Sequence, residues 1–148
     1  MDKAREWFKK IYEILPYQEI FSNEEIKIAR KIQIVRNEVD IKKEPIIEYK
    51  LILFIFDNKT KKEPKSFSFF SVKANDPKTK YVLDLVNLKE FCDFIKNRLK
   101  EEDINLLEEE LKSNIKFMLK YIEVEEEKIN QFLEIFINFY NNYLGRIR

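Results

Sequence analysis

Two carboxylates and a lysine near the middle of the chain have the types and the spacing of a divalent-metal site. If Val39 pairs with Tyr49 across a hairpin, Asp40 lies directly opposite Glu48, and Lys50 lies on the same polar side of the sheet. Carboxylates that face one another across two strands repel. A Mg²⁺ ion between them would remove the repulsion, because Mg²⁺ binds carboxylate oxygens.

The combination of Asp40 with Glu48-x-Lys50 superficially resembles the PD-(D/E)xK pattern of metal-dependent nucleases. The resemblance implies that Asp40 and Glu48 hold Mg²⁺ and that Lys50 supports the attacking water. It is confined to residues 39–50, Val39 stands where the pattern has Pro, and Asp/Glu-x-Lys also occurs at Asp57. The family core places a helix soon after the lysine-bearing strand, where this sequence predicts another hairpin. A metal-dependent nuclease is therefore the alternative function, and a solvated polar face is the competing interpretation.

A basic turn between two predicted strands is the second candidate site. Its lysines are Lys59, Lys61, Lys62 and Lys65, and the strand that follows carries Phe67, Phe69 and Phe70. Lysines bind phosphates and aromatic rings stack on bases, so the pattern predicts contact with nucleic acid or with an acidic partner. The competing interpretation is a loop kept hydrated by lysines, with the phenylalanines in the core.

The last predicted helix is apolar on more than one face. Its offset aromatic residues are Phe132, Phe136, Phe139 and Tyr143. A helix that is apolar nearly all round lies either at the centre of a bundle or partly in an interface. We therefore predict either central packing or a surface for a protein partner or a second copy of the chain.

The composition excludes most other catalytic chemistry. The 148 residues include no histidine, one cysteine (Cys92) and one glycine (Gly145). The absence of histidine removes Ser-His and Cys-His nucleophiles and imidazole ligands. A lone cysteine allows neither an internal disulfide nor a cysteine-based zinc site, and Cys92 fits a buried apolar filler. A lone glycine excludes glycine-rich phosphate loops and requires the hairpins to turn on Asn, Asp and Pro.

The first half of the chain must position the two polar candidate sites. Asp2–Leu15 has the periodicity of an amphipathic helix that ends at Pro16. A strand is predicted from Ile26, with a bulge near Ile34 where the alternation changes phase. The predicted strands after it are Ile46–Phe56, Ser66–Val72 and, as a fourth, Lys80–Val86.

The second half has helical periodicity. Asn87 is a predicted N-cap, a break is predicted at Glu101–Asp103, and a third helix is predicted from the acidic turn Glu123–Glu127 to Gly145. The fold class is therefore α+β: an N-terminal helix, an antiparallel sheet of three to four strands, and a C-terminal bundle of three helices.

Charge divides the chain at the same place. Residues 1–80 hold 18 basic and 13 acidic side chains, whereas residues 81–148 hold 10 and 14, although the whole chain has a net charge of +1. The length fits a single domain, 1–148, with a helix-plus-sheet part (1–86) and a helical part (87–148). No stretch has the length and apolarity of a membrane span, and a cytoplasmic location is expected. High Lys, Glu and Ile content is typical of thermophile proteins, and an AT-rich genome gives the same bias.

These features predict a non-enzymatic binding protein rather than an enzyme. We expect an accessory subunit or regulator of a nucleic-acid-processing or mobile-element complex. It would contact phosphates or an acidic partner through the lysine-rich hairpin, and proteins through its helical end. No cofactor or membrane contact is expected, and only the nuclease alternative needs Mg²⁺.

Overall fold

The computed structural model describes residues 11–37, 46–60, 62–75 and 78–146. Five strands come first and three helices follow, so the α+β class is confirmed. The strands are β1 (Ile11–Ser22), β2 (Ile26–Asn37), β3 (Ile46–Asp57), β4 (Lys65–Asn75) and β5 (Lys78–Leu83). The helices are α1 (Leu85–Lys96), α2 (Glu101–Tyr121) and α3 (Glu126–Tyr143). None of the helices in the described ranges is both long and apolar enough to cross a lipid bilayer.

The predicted N-terminal helix is wrong, and the sheet has five strands instead of three to four. Ile11–Leu15, the end of the predicted helix Asp2–Leu15, lies in β1, and residues 1–10 are outside the described part of the chain. Pairing with β2, as between Tyr12 and Ile34, overrides the helical periodicity. Pro16 does not end a helix but lies within β1. Proline is tolerated there because β1 is an edge strand, with a register shift between Leu15 and Gln18.

The sheet is an antiparallel meander in the order β1-β2-β3-β4-β5. The β2–β3 register runs without a shift from Ile26 to Asn37, so the predicted bulge near Ile34 is wrong. Shifts instead occur along β1 and between Leu51 and Leu53 on the β3–β4 side. The turns use Asn and Asp as predicted: the Asn23 side chain accepts hydrogen bonds from two backbone N–H groups of its turn.

The helix boundaries follow local capping. Asp84, rather than the predicted Asn87, caps α1, and its carboxylate accepts the backbone N–H of Asn87 at 3.1 Å. α2 begins with three acidic residues, which favour the positive end of the helix dipole. α3 begins in the predicted acidic turn, and Gly145 follows it with φ +72° in a left-handed cap.

One face of the sheet, which we call the covered face, packs against all three helices. Its central buried residues are Ile28, Ile32, Leu51, Leu53, Phe67, Phe70 and Val72. Each helix contributes a ring: Phe91 of α1 lies 5.6 Å from Phe67, Tyr121 of α2 lies 6.2 Å from Tyr49, and Phe132 of α3 lies 4.8 Å from Phe70. The three helices therefore form one layer, and the sheet forms the other.

Candidate nucleic-acid interface

The predicted metal site depended on a strand register that the structure does not have. Glu48 pairs with Val35 and Lys50 pairs with Gln33, so the predicted pairing of Asp40 with Glu48 is wrong. Asp40 falls between β2 and β3, in residues 38–45, outside the described ranges. The sequence pattern could not fix the register, because it did not fix the length of the β2–β3 connection.

Glu48 itself lies between two ammonium groups. Its carboxylate is 3.1 Å from Lys50 Nζ and 3.8 Å from Lys73 Nζ, and its side chain is only 12% exposed. Within the described ranges, no group of three or more carboxylate or thiol side chains is placed to hold a metal ion. A divalent cation at Glu48 would have to displace a lysine, so the visible role of this carboxylate is to hold the two lysine side chains in place.

The side of the sheet away from the helices, which we call the open face, carries a cluster of aromatic rings. Tyr17 of β1 lies 5.6 Å from Phe54 and 6.0 Å from Phe56 of β3. The two phenylalanines are half-buried, and Tyr17 is 47% exposed. The Tyr17 ring is therefore held by contacts with the two phenylalanines and still has accessible surface. Partial burial raises the pKa of the Tyr17 hydroxyl above its usual value.

Lysines surround these rings on the same face. The strand registers place five of them there: Lys27, Lys31, Lys50, Lys73 and Lys80. Lys27 Nζ lies 4.7 Å from the centre of the Phe56 ring, in a cation–π contact. From β2 to β4 the line of lysines runs diagonally over roughly 30 Å, estimated from strand rise and spacing. The strand registers place three acidic residues on this face, Glu13, Glu19 and Glu48, so its lysines outnumber its acidic residues.

The basic hairpin between β3 and β4 is fixed to α1. Lys59 and Lys62 are exposed, Lys61 is outside the described ranges, and Lys59 Nζ is 3.8 Å from Glu25. Lys65 Nζ lies 4.9 Å from the centre of the Phe94 ring. The hairpin lysines therefore lie at the same end of the sheet as the Phe56 ring, since β3 ends at Asp57.

Arg98 was not predicted as a site residue, although it connects the hairpin to the helices. Its guanidinium lies 4.4 Å from the centre of the Phe94 ring and 3.1 Å from the Asp57 carboxylate. Asp57 also accepts the backbone N–H groups of Lys59 and Thr60. These N–H donors and Arg98 hold the pKa of Asp57 below its usual value. No local motif indicated the Arg98 contact, because its two residues are 41 positions apart.

A small cavity opens where this hairpin meets α1. Its volume is about 250 Å³, and three basic side chains line it together with two acidic ones. The lining residues are Ile55, Asp57, Thr60, Lys62, Glu63, Lys65, Phe94 and Arg98. Its chemistry fits a phosphate-sized anion better than a metal ion.

The phenylalanines after the hairpin do not belong to this surface. Phe67, Phe69 and Phe70 are 7%, 1% and 1% exposed, and they pack against the helices. They cannot stack on bases, so the core interpretation of these rings is correct. The accessible aromatic surface is instead at Phe54 and Phe56, which alternate with the buried residues Leu53 and Ile55 of β3. That alternation is the signal in the sequence that could have indicated this surface.

The aromatic residues of α3 divide between core and surface. Phe136 is fully buried and stacks on Phe69 at 5.8 Å. Phe132 is half-buried against Phe70. Phe139 and Tyr143 stack on each other at 6.1 Å and are half-buried, and Ile135 of the same helix is 49% exposed, so a partner surface on α3 could use these residues.

Comparison with other proteins does not assign the chain. No known protein family, curated protein or solved structure matches it.

Proposed function

We propose that this chain is a non-enzymatic protein that binds single-stranded nucleic acid on the open face of its sheet. It would act as an accessory subunit of a cytoplasmic complex that processes nucleic acid or belongs to a mobile element. The observation that carries the proposal is the contact of Tyr17, Phe54 and Phe56 with one another amid a line of lysines.

The rings provide the affinity that does not depend on base identity. Every base has a π-face, and stacking on an aromatic side chain contributes about 1–3 kcal/mol per base. Tyr17 is the best placed of the three, because 47% of it is exposed and its ring is supported from below by Phe54. Duplex bases are already stacked, so this contact favours single strands.

The lysines provide the electrostatic contribution. A single strand lying along their diagonal would place its phosphates near Lys27, Lys31, Lys50 and Lys73. Glu48 forms ion pairs with Lys50 and Lys73 and therefore offsets part of their positive charge. The hairpin continues the basic surface beyond Phe56, where Lys59 and Lys62 would contact further phosphates.

Fluorescence anisotropy with a labelled 20-nucleotide oligo-dT, the matching oligo-rU and a 20-base-pair duplex tests this function. We expect the wild type to bind the single strands more tightly than the duplex. Tyr17→Ala should weaken binding about tenfold or more, because a stacking contact is lost. Tyr121→Ala is the matched control, since Tyr121 is 52% exposed but belongs to α2 on the other side of the sheet.

Charge-reversal variants distinguish binding at the open face from a general attraction between nucleic acid and the lysines of the protein. Lys27→Glu should weaken binding and reduce the slope of log affinity against log salt by about 0.7 for the lost phosphate contact. Lys89→Glu, at an exposed position of α1, should leave both quantities nearly unchanged. Undetectable binding at low salt, or equal losses in the Lys27 and Lys89 variants, would refute the proposal.

The metal-dependent nuclease stays an alternative proposal, with Asp40, Glu48 and Lys50 as its residues. The observation in its favour is that Glu48 and Lys50 are in contact on one face. Cleavage of DNA or RNA in the presence of Mg²⁺ or Mn²⁺, lost in Glu48→Ala, would support it. No cleavage by the wild type would end it.

A further inference from the structure

The outer edge of β5 presents unpaired backbone groups at the opposite side of the sheet from β1. β5 is the last strand in the sheet order, and no described residue pairs with its outer edge. The backbone N–H of Asp84 donates to the carbonyl of Phe69 at 2.7 Å, which fixes the phase of the ladder. Because hydrogen-bonded positions alternate in an antiparallel pair, Lys80 and Val82 bond to β4. The backbone groups of Thr79, Tyr81 and Leu83 therefore point outward.

A groove runs along this edge. Its volume is about 520 Å³, and it lies between β5 and the turn that joins α2 to α3. The lining residues are Thr79, Lys80, Tyr81, Ile122, Glu123, Val124, Glu125 and Lys128. The groove therefore has the edge strand on one side and the turn between α2 and α3 on the other.

The two sides of the edge differ in chemistry. On the helix side, Tyr81 is 38% exposed and lies 6.2 Å from Phe132, and Ile122 and Val124 line the groove next to it. On the open-face side, Lys80 lies directly opposite Lys73 in the β4–β5 pair. Lys73 already has the Glu48 carboxylate at 3.8 Å, so an acidic side chain beside Lys80 would neutralise the second charge of this pair.

We propose that β5 accepts an extended segment of a partner protein as a sixth strand. Successive side chains of that segment would point to opposite sides. Those on the helix side would be apolar, against Tyr81, Ile122 and Val124, and those on the open-face side would be acidic, beside Lys80. A second copy of this chain fits poorly, because pairing β5 with β5 would bring its lysine-bearing side against itself. The backbone pairing at β5 uses none of the aromatic residues of the open face, although the acidic side chains would lie beside Lys80 of that face.

A labelled seven-residue peptide that alternates glutamate with valine is the probe. We expect it to bind, and to slow amide hydrogen exchange at Thr79, Tyr81 and Leu83. Thr79→Pro should weaken binding about tenfold, because it removes an outward N–H without breaking the ladder to β4. Thr79→Val is the matched control: it removes the hydroxyl, retains the N–H and should bind as the wild type does.

Charge gives a second test that does not depend on tolerance of proline. Lys80→Glu leaves the backbone edge intact and should reverse the preference, so that a peptide alternating lysine with valine binds more tightly than the glutamate peptide. The proposal is overturned if the glutamate peptide leaves the β5 amides unprotected, or if Thr79→Pro, shown to be folded by circular dichroism, binds it with wild-type affinity. It is equally overturned if Lys80→Glu keeps the original preference.

Discussion

The two faces of the sheet use the same residue types for different purposes. On the covered face, Phe70 is 1% exposed and lies against Phe132 of α3. On the open face, Phe54 and Phe56 are half-buried, and the structure that supports them is Tyr17 rather than a helix. The covered face has Arg30 as its buried charge, whereas lysines outnumber carboxylates on the open face.

This difference shows that an aromatic residue on a strand has no fixed role. Phe70 stabilises the fold because a helix excludes water from it. Phe54 retains accessible ring surface because none of the three helices packs on its side. Substitutions on the covered face should therefore change stability, and substitutions on the open face should change binding.

Phe70→Ala gives the largest expected effect. Removing this buried ring should lower the free energy of unfolding by about 4 kcal/mol, through lost burial and the cavity left against Phe132. Urea unfolding followed by circular dichroism measures it. Phe54→Ala is the matched control on the neighbouring strand, and it should cost clearly less. Equal costs would contradict the distinction between the faces.

Arg146→Ala tests whether the ion pair of Arg146 with Glu108 of α2 stabilises the helix layer that covers the sheet. Arg146 lies 3.3 Å from the Glu108 carboxylate and 3.0 Å from the Asn141 side chain, and the Glu108 side chain is only 4% exposed. Removing the guanidinium takes a charged partner away from a buried carboxylate, so the free energy of unfolding should fall by about 3 kcal/mol. The same urea experiment measures the loss.

Lys112→Ala is the control for Arg146→Ala. Lys112 forms an ion pair with Glu109, which is 69% exposed. An exposed pair contributes less than about 1 kcal/mol. A loss for Arg146→Ala no larger than this would show that the buried pair does not hold α3 against α2.

The sequence predicted the helical half better than the sheet half. The helical periodicity, the acidic turn before α3 and Gly145 after it are local signals, and they predicted three helices in this half. The starts of two were wrong: Asp84 rather than Asn87 caps α1, and Glu101–Asp103 form the first turn of α2 rather than a break.

The prediction of an N-terminal helix was wrong because pairing with β2 decides the conformation of Ile11–Leu15. Pro16, which we expected to end that helix, is compatible with an edge strand. The predicted register of β2 and β3 was wrong because a period-2 pattern does not fix the length of the connection between the two strands.

The sequence predicted the parts of the candidate site whose residues are close together in the chain, and it missed the contacts between distant residues. The lysine-rich hairpin is a local feature and was found. Tyr17 was missed because its partners Phe54 and Phe56 are distant in sequence, and Arg98 was missed because it meets Asp57 only after α1 folds onto the sheet.

Glu48→Gln distinguishes binding from catalysis by the sign of its effect. If the open face binds nucleic acid, removing this negative charge beside Lys50 and Lys73 should strengthen binding about twofold to threefold at low salt. If Glu48 holds a metal in a nuclease, the same change should abolish cleavage. Anisotropy with the oligo-dT and a cleavage assay with Mg²⁺ measure the two outcomes. Weaker binding in Glu48→Gln would contradict the electrostatic role assigned to this face.

Acid should affect the basic hairpin beside the open face while leaving the covered face intact. The backbone N–H groups of Lys59 and Thr60 and the Arg98 guanidinium keep the pKa of Asp57 below its usual value. A depressed carboxyl pKa stabilises the folded turn above the unfolded pKa, and that contribution is lost as the pH falls through the folded pKa. The window therefore lies below about pH 4.

An NMR titration from pH 6 to pH 2 measures this smallest effect. The amide signals of Lys59 and Thr60 should shift together with the Asp57 side chain, because protonation weakens the hydrogen bonds that they donate. The ring signals of Phe70 should not follow that midpoint, since Phe70 packs against α3 and is 1% exposed. In Asp57→Asn the shared transition should disappear. If the Phe70 signals moved with the same midpoint as those of Lys59, the hairpin and the covered face would titrate as one unit, and the separation between the two regions would fail.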